Sequence, residues 1–205
     1  MDPQVLHKAK LHLARRDAVI KPVIRAVGPC TLRCEADHFD VLVRSIISQQ
    51  ISTRAALAIA NRLREAVGRF QPRRILEASD DTLRQAGLSQ GKRLSLRDLA
   101  SKCSDGTVPL KKLADLDDAD VVETLVKVRG IGPWTAEMFL IFSLGRMDVL
   151  PVGDYGLQAG MQKLHALAEL PKKARLHELT ESWKPYRSIG TWYVWRSLGG
   201  VPQSD

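Results

Sequence analysis

The residue that could most directly do chemistry is Asp154, in the run PVGDYG at positions 151–156. Pro151 and Gly153 interrupt the helical pattern, and an amphipathic pattern resumes after Asp154, which predicts that this residue caps a helix N-terminus. The helix dipole and the free N–H groups favour an anion at such a position. An anion held there could stabilise a sugar cation that develops as a glycosidic bond breaks. On the local pattern alone, capping without catalysis is the simpler interpretation.

A second run, RGIGPWTA at positions 129–136, predicts a tight turn between two helices. Gly130 and Gly132, separated by one apolar residue, allow a sharp turn and a close approach of the backbone to a ligand. Pro133 suits the first position of the next helix, because its missing N–H costs nothing there. The exposed N–H groups at this helix start form a natural phosphate site. An ordinary hairpin in a helical bundle is the alternative, since a Gly-x-Gly turn alone is a weak signal.

The elements around these motifs read as helices. Apolar residues recur at helical spacing through nearly the whole chain, and alternating strand patterns are absent. Ser52 is a good N-cap for a helix over 53–67, which places Gln49 and Gln50 at a tight junction with the helix before it. We therefore predict an all-α fold with no internal repeat.

Composition and charge favour a polyanionic partner. The chain has 205 residues, enough for one compact domain or two small helical lobes, with a net charge of +8 and a pI near 9.6. Between Arg62 and Arg97 there are nine Arg or Lys and only four Asp or Glu. This stretch predicts either a nucleic-acid surface or a solvated basic face, because many basic proteins bind no nucleic acid.

The remaining composition bears on compartment and cofactors. No apolar run approaches the roughly 20 residues that cross a bilayer, and the first 16 residues hold no stretch typical of a secretory signal. We expect a monomer in a bacterial-type cytosol or nucleoid, with no membrane partner. Cys30, Cys34 and Cys103 lack the spacing and number for four ligands, so we expect free thiols and neither structural zinc nor an iron–sulfur cluster.

Three runs in order resemble one family. The run 126–157, with GIGPWTA and then PVGDY, is similar to the signature of the helix-hairpin-helix superfamily of base-excision DNA glycosylases. The run 44–52, RSIISQQIS, resembles the first lobe of that family. The run 183–188, WKPYRS, followed by Trp195, resembles the C-terminal helix of the AlkA-type 3-methyladenine DNA glycosylases. The ordered trio is far more specific than a lone hairpin.

The resemblance implies a fold and an activity. The fold would be the two-lobed helix-hairpin-helix glycosylase fold over 1–205, without the N-terminal β-rich domain of the familiar bacterial enzyme. A lobe over about 35–115 would be nested between an N-terminal helical segment and a hairpin-bearing lobe at 116–200. The activity would be monofunctional: the enzyme would flip an alkylated base of the 3-methyladenine type out of double-stranded DNA and hydrolyse its N-glycosidic bond, leaving an abasic site for base excision repair.

The resemblance also implies residue roles. Asp154 would be the catalytic aspartate, and Gln50 would be the wedge that fills the gap left by the flipped nucleotide. The implied DNA-binding residues are Gly130, Ile131, Gly132, Thr135, Gln49 and Gln50. The implied base pocket consists of Trp134, Met138, Tyr155 and Trp195, for whose aromatic members core packing is the alternative. The family often holds a monovalent cation at the hairpin carbonyls, here near Val126 and Val128; no other cofactor is implied.

Other functions are open at this point. Bifunctional members carry a nucleophilic lysine two residues after the second hairpin glycine, where this chain has Trp134, so we expect no lyase chemistry. Endonuclease-III-like members carry a C-terminal four-cysteine cluster, but no cysteine follows Cys103. A different damaged base is an open alternative, because Gln50 is a polar wedge and Met138 replaces a pocket tyrosine. A non-catalytic DNA-binding module is the other, although Asp154, 20 positions after Trp134, favours an enzyme.

Overall fold

The structure, a computed structural model, describes residues 1–200, so the last five positions of the expected domain over 1–205 lie outside the described residues. Within this range the chain is helical and contains no strand. The helices are α1 (Pro3–Arg16), α2 (Ile20–Val27), α3 (His38–Ser48), α4 (Thr53–Val67), α5 (Pro72–Glu77), α6 (Asp80–Gln85), α7 (Gln90–Ser104), α8 (Asp118–Val126), α9 (Pro133–Phe142), α10 (Tyr155–Leu164), α11 (Lys173–Leu179) and α12 (Arg187–Ser197). Two 3-10 turns cover Leu110–Asp115 and Glu181–Trp183. The prediction of an all-α fold is confirmed.

No helix among residues 1–200 is both long enough and apolar enough to span a membrane.

The helix starts follow the predicted chemistry. Ser52 caps α4 by accepting a hydrogen bond from the backbone N–H of Ala55, and Pro133 opens α9. Seven of the described helices begin after an Asp or Ser whose side chain accepts a backbone N–H of the first turn: Asp2, Asp37, Ser52, Ser79, Ser89, Asp117 and Asp154.

The chain divides into two compact units. One contains Met1–Cys34 and the segment from Leu140 onward, and the other is the inserted segment Glu35–Phe139. The inserted unit begins at the expected position near 35 but extends to Phe139 instead of ending near 115. The hairpin therefore belongs to the inserted unit, and the contacts described below for Gly130 and Arg129 give the physical reason.

In the first unit, α12 lies at the centre. Eight of its residues, from Ser188 to Trp195, are buried, because α1, α2 and α10 all pack against it. Gly190 has no room for a side chain, since a Cβ there would lie 2.2 Å from the ring of Trp183. The indole N–H of Trp183 donates to the carboxylate of Asp17 at 2.6 Å, and Asp17 also accepts the backbone N–H of Val19 at the start of α2. These contacts fix α2 against α12.

In the inserted unit, α3 packs against α4 and α7, and α5 packs against α7. The apolar faces of these helices are buried, as the helical spacing of the sequence predicts. Its core includes Leu42, Ile46, Ile47, Leu63, Ile75, Leu96 and Leu99. The hairpin that follows α8 is attached to these packed helices.

Candidate active site

Asp154 lies at the N-terminus of α10, as predicted, and only 5% of its surface is exposed. Its Oδ1 atom accepts the backbone N–H of Leu157 at 2.6 Å and the indole N–H of Trp195 at 2.8 Å. A carboxylate with two such donors is held in one orientation, and hydrogen bonds to an ionised acceptor are the stronger kind. Asp154 is thus both a helix cap and a rigidly placed anionic group.

The loop before Asp154 is fixed to the start of α12. Arg187 donates from Nε and Nη2 to the two carboxylate oxygens of Asp148, both at 2.8 Å. The hydroxyl of Ser188 accepts the backbone N–H of Val149 at 2.9 Å. On the other side, the side-chain amide of Gln158 donates to the carbonyl of Val152 at 2.8 Å. The backbone on both sides of the loop is therefore restrained, which limits the motion of Asp154.

Trp195 supports Asp154 in a way that sequence reasoning missed. Its indole is 2% exposed, stacks on Phe142 with 5.9 Å between ring centroids, and donates its N–H to the aspartate. The sequence contains no local signal for this bond, because 41 positions separate the two residues. The predicted role of Trp195 as a wall of the base pocket stays a prediction; its observed contact is with the carboxylate.

Tyr155 and Gly156 follow Asp154 at the start of α10. Tyr155 is 72% exposed, so its ring is accessible to a ligand beside the carboxylate. A Cβ on Gly156 would lie 3.2 Å from Asp154 Oδ1 and 3.2 Å from the Trp195 ring. Glycine therefore allows the aspartate and the indole to meet.

The predicted hairpin lies between α8 and α9. Gly130 has φ +78°, and a Cβ there would lie 2.6 Å from the hydroxyl oxygen of Ser95. Both the backbone conformation and the packing therefore require glycine at this position. At Gly132, by contrast, a Cβ would meet no atom within 4 Å, so the fold itself tolerates a methyl group there. Glycine at 132 is consistent with the predicted close approach of a phosphate to the backbone.

Two hydrogen bonds attach the hairpin to the rest of the inserted unit. The side-chain amide of Gln49 donates to the carbonyl of Gly130 at 2.8 Å, and the backbone N–H of Arg129 donates to Asp98 Oδ2 at 2.7 Å. Burial alone would raise the pKa of Asp98, but hydrogen bonds from Lys102 and from the Arg129 backbone outweigh it, so the pKa lies below its ordinary value. Gln49 is thus a support for the turn, and Asp98 is a second support that sequence reasoning missed.

Gln50 follows Gln49 at the junction of α3 and α4 and is exposed. Its φ is +60°, in the left-handed region that non-glycine residues seldom adopt. Such a conformation costs on the order of 1–2 kcal/mol and commonly marks a functional position. The exposed side chain and the strained backbone of Gln50 are compatible with the predicted wedge role. That role stays a prediction, because a wedge contacts DNA and not another part of the chain.

The other predicted site residues differ in accessibility. In the inserted unit Trp134 is 38% exposed, whereas Met138, Thr135 and Ile131 are buried. Ile131 therefore anchors the hairpin through its buried side chain and through its backbone N–H, which donates to the carbonyl of Val128. Its contact with DNA stays a prediction. The buried position of Met138 favours packing. The assignment of Trp134 and Met138 to the base pocket stays a prediction.

The basic stretch between Arg62 and Arg97 serves the fold. Each of its nine Arg and Lys side chains donates to a carboxylate or a backbone carbonyl of the same unit. Arg69 contacts Asp37 at 2.9 Å, for example, and Arg97 contacts the carbonyl of Ala78 at 2.7 Å. Intramolecular pairing, which neither of the two predicted interpretations included, therefore engages each basic side chain of this stretch.

Among residues 1–200, no group of three or more His, Cys, Asp or Glu side chains is arranged to hold a metal ion. The predicted cation position consists of main-chain carbonyls near Val126 and Val128. The carbonyl of Val128 accepts the backbone N–H of Ile131 at 3.1 Å. A carbonyl oxygen has two lone pairs, so this bond leaves it able to coordinate a cation as well.

Comparison with known proteins places these features in a family context. Residues 43–185 match the family described as HhH-GPD superfamily base excision DNA repair protein. The DNA-3-methyladenine glycosylase 1 of Schizosaccharomyces pombe is 34% identical over 199 residues, which cover 94% of this chain and 87% of that protein. Residues 43–185 include the hairpin, Asp154 and the 3-10 turn Glu181–Trp183 before α12.

Two solved structures resemble this one over nearly their whole length. The Schizosaccharomyces pombe 3-methyladenine DNA glycosylase in complex with abasic DNA has a TM-score of 0.83 and 32% identity, covering 97% of this chain and 100% of that one. The DNA-3-methyladenine glycosidase of Bacillus halodurans has a TM-score of 0.84 and 36% identity, covering 97% and 90%. The described helices thus follow the fold of these enzymes.

Proposed function

Because the chain belongs to the HhH-GPD superfamily of base excision DNA repair proteins, we propose that it is a DNA glycosylase that hydrolyses the N-glycosidic bond of alkylated bases, with Asp154 as its catalytic carboxylate. The observation that carries the proposal is the geometry of Asp154, buried to 5% exposure and oriented by Leu157 and Trp195. The names of its relatives, 3-methyladenine DNA glycosylases, support the alkylated-base class.

The reaction requires the target nucleotide to leave the duplex. The bond to be cleaved is inaccessible in a stacked helix, so the enzyme rotates the nucleotide out at a cost of about a few kcal/mol. The main-chain N–H groups at the start of α9 would bind the phosphate backbone at the hairpin. The exposed side chain of Gln50 would fill the vacancy in the base stack.

The chemistry of the leaving group limits what the protein must supply. An N-alkylated purine is often cationic, which makes it a good leaving group without strong acid catalysis. The positive charge also favours stacking on aromatic faces, worth roughly 0.5–2 kcal/mol over a neutral base. The accessible ring of Tyr155, next to Asp154 in the sequence, would supply such a face. The remaining task, stabilising the developing sugar cation and positioning water, falls to Asp154.

We propose further that the enzyme has no lyase activity. Schiff-base chemistry needs an amine beside the sugar, and the position that would carry the lysine is Trp134. The lysine just before the hairpin, Lys127, lies 3.9 Å from Glu123 in an ion pair on α8. The proposed product is therefore an intact abasic site.

The hairpin would also hold a monovalent cation. The carbonyl oxygens near Val126 and Val128 are hard, neutral donors of the kind such an ion prefers. A bound cation would add positive charge at the phosphate site. The proposed reaction uses no other cofactor, and its steps depend on the protein side chains alone.

The deciding experiment measures base release from a panel of methylated duplexes. Oligonucleotides carrying 3-methyladenine, 7-methylguanine or an undamaged purine are incubated with the protein, and free bases are separated by chromatography. We expect release of the alkylated bases and none from undamaged DNA. Release of none of them by a folded, DNA-binding protein would refute the glycosylase assignment and leave a non-catalytic DNA-binding module.

A borohydride trap on the same duplexes tests the absence of lyase chemistry. An amine nucleophile forms an imine with the opened sugar, and borohydride reduces that imine to a stable protein–DNA adduct. We expect no adduct, while a known bifunctional glycosylase on its own substrate serves as the positive control. An adduct lost on Lys127→Ala would refute the monofunctional proposal.

A further inference from the structure

Most of the net positive charge of the chain lies outside the inserted unit that carries the hairpin. Residues 1–34 contain seven Arg or Lys and two Asp or Glu, a net charge of +5. The inserted segment 35–139, which carries the hairpin, contains sixteen basic and fifteen acidic residues, a net charge of +1. Most of the formal charge of +8 therefore lies in the N-terminal helices rather than in the unit with the phosphate-binding turn.

The two sets of basic residues also differ in their partners. Between Arg62 and Arg97 all nine basic side chains are bonded within the protein, as described above. None of the seven in residues 1–34 makes an ion pair or a side-chain hydrogen bond in the described part of the chain. The seven are Lys8, Lys10, Arg15, Arg16, Lys21, Arg25 and Arg33.

The two acidic residues of this segment cannot neutralise them. Asp2 accepts the backbone N–H of Gln4 as the N-cap of α1. Asp17 is buried and accepts the indole N–H of Trp183 together with the backbone N–H groups of Val19 and Ile20. The surface potential of α1 is therefore set by unopposed cations.

The exposed surface of α1 forms two shallow grooves without an acidic residue. One, of about 450 Å³, runs along the helix and is lined by residues that include Lys8, His12 and Arg15. The other, of about 330 Å³, lies between α1 and the segment after α2 and includes Lys10 and Arg33. Both grooves thus offer cationic walls to a ligand.

Folding alone does not account for this arrangement. Arg15 and Arg16 lie in the last turn of α1, where cations favour the helix dipole. Lys8 and Lys10 lie in the middle of the helix, where the dipole gives no benefit. Cations without acidic partners add net charge, and self-repulsion of that charge disfavours the compact state, so an external polyanion explains them better than folding does.

We propose that the N-terminal basic face, which consists of Lys8, Arg15 and Arg16 along one groove and of Lys10 and Arg33 along the other, binds the phosphate backbone of duplex DNA away from the lesion. Lys8 and Arg15 are seven residues apart, about 10 Å along the helix axis at about 1.5 Å per residue. That rise is close to three phosphate steps of about 3.4 Å along one strand. The inference rests on the proposed function only in taking DNA as the polyanion.

This face has a defined consequence for lesion search. Contacts to phosphate carry no sequence or lesion information, so they strengthen binding to undamaged DNA as much as to damaged DNA. Neutralising phosphates with Lys or Arg releases counterions, which makes the affinity salt-dependent. The N-terminal basic face would therefore hold the enzyme on DNA before a damaged base is found.

The test is the double variant Lys8→Ala, Arg15→Ala, since Ala suits exposed helix positions. The matched control is Arg73→Ala, Arg84→Ala, which removes two charges from exposed arginines paired with Glu77 and Asp81. Binding to an undamaged duplex is measured by fluorescence anisotropy between 50 and 300 mM salt. Circular dichroism verifies folding, and Lys10→Ala, Arg33→Ala serves as a second test pair.

We expect the test variant to lower the slope of log affinity against log salt by about 1.8, or about 0.9 for each lost contact, and to weaken binding at 0.1 M salt by roughly tenfold to a hundredfold. The control should retain the wild-type slope. Single-turnover base release at saturating enzyme should not change. This binding test needs no glycosylase activity, so it can succeed or fail independently of the base-release panel.

Wild-type slopes for both test pairs would overturn the proposal. An equal loss of slope in the control would also overturn it, because it would show a response to net charge rather than to this surface. A test variant that weakens binding to lesion DNA alone would place the face in the lesion site instead.

Discussion

The substitution Asp154→Asn separates the two roles of this residue, cap and catalyst. Two of the hydrogen bonds to Asp154, from Leu157 N and Trp195 Nε1, go to the same carboxylate oxygen, Oδ1. The amide oxygen of asparagine can accept both, and Asn is as good an N-cap as Asp. The geometry of α10 should therefore survive, while the negative charge is lost.

The rate effect follows from the lost attraction between the carboxylate and the sugar cation. Two unit charges about 4 Å apart interact by about 4 kcal/mol at an effective dielectric constant near 20. Losing that term in the transition state slows the reaction about a thousandfold. Replacing two charge-assisted hydrogen bonds by neutral ones lowers the free energy of unfolding by about 1–2 kcal/mol, a few degrees in Tm.

The assay is single-turnover release of an alkylated base with enzyme in excess, so that product release does not enter the rate. Affinity for undamaged duplex and the thermal unfolding midpoint are measured on the same preparation. The control is Asp105→Asn, which removes the same charge from an exposed loop residue whose side chain only caps a turn at Thr107. The control should excise at the wild-type rate.

An Asp154→Asn variant that releases alkylated bases within about tenfold of the wild-type rate would refute the catalytic role of this carboxylate. Asp154 would then be a helix cap alone. If the variant is unfolded, Asp154→Ser gives the next test, because serine also caps a helix and carries no charge. Slow excision by a folded serine variant supports the catalytic role, and wild-type excision by it contradicts that role.

Four further substitutions or conditions test the site. Trp195→Phe removes the indole donor while keeping an aromatic ring, so kcat should fall at least tenfold with KM nearly unchanged, and a change confined to stability or KM would show that Trp195 only packs. Gln50→Ala should weaken binding to abasic DNA more than to intact duplex, because the wedge has a gap to fill only after extrusion; equal weakening would make Gln50 an ordinary contact. The folded-state pKa of Asp98 is lowered, so the stability it contributes is present above its ordinary pKa near 4 and is lost as pH falls through the lowered value. The protection factor of the Arg129 amide, its exchange rate relative to the intrinsic rate at each pH, should fall there, and a protection factor independent of pH would contradict this. Gly132→Ala should leave the protein folded but weaken DNA binding with an unchanged salt slope, and a wild-type affinity would exclude close phosphate approach at this turn.

The local elements of the fold were predictable because their signals are local. A capping residue acts within three positions, so Ser52 and Asp154 could be assigned as helix starts from the sequence, and the structure confirms both. The Gly-x-Gly turn was predictable for the same reason, since Gly130 must adopt φ +78°. The other helices were predictable from the helical spacing of their apolar residues, because each helix buries one apolar face.

What could not be predicted depends on contacts between distant parts of the chain. The extension of the inserted unit to Phe139 follows from the bonds of Gly130 with Gln49 and of Arg129 with Asp98, 81 and 31 positions apart. The bond between Trp195 and Asp154 is of the same kind. The role of the basic stretch at 62–97 was also invisible, because charge counts do not show which side chains are paired.

The uneven distribution of positive charge along the chain implies two kinds of DNA contact, one through main-chain dipoles and one through cationic side chains. At the hairpin the available donors are main-chain N–H groups, which bind phosphate as dipoles without adding net charge, and their unit carries only +1. Counterion release requires cations, so that contact should contribute little to the salt dependence. On α1 the donors are ammonium and guanidinium groups without internal partners, and their contribution should dominate the salt dependence. The hairpin can then select a position by close fit to the backbone, while the N-terminal basic face keeps the enzyme near DNA, and salt should weaken the second function well before the first.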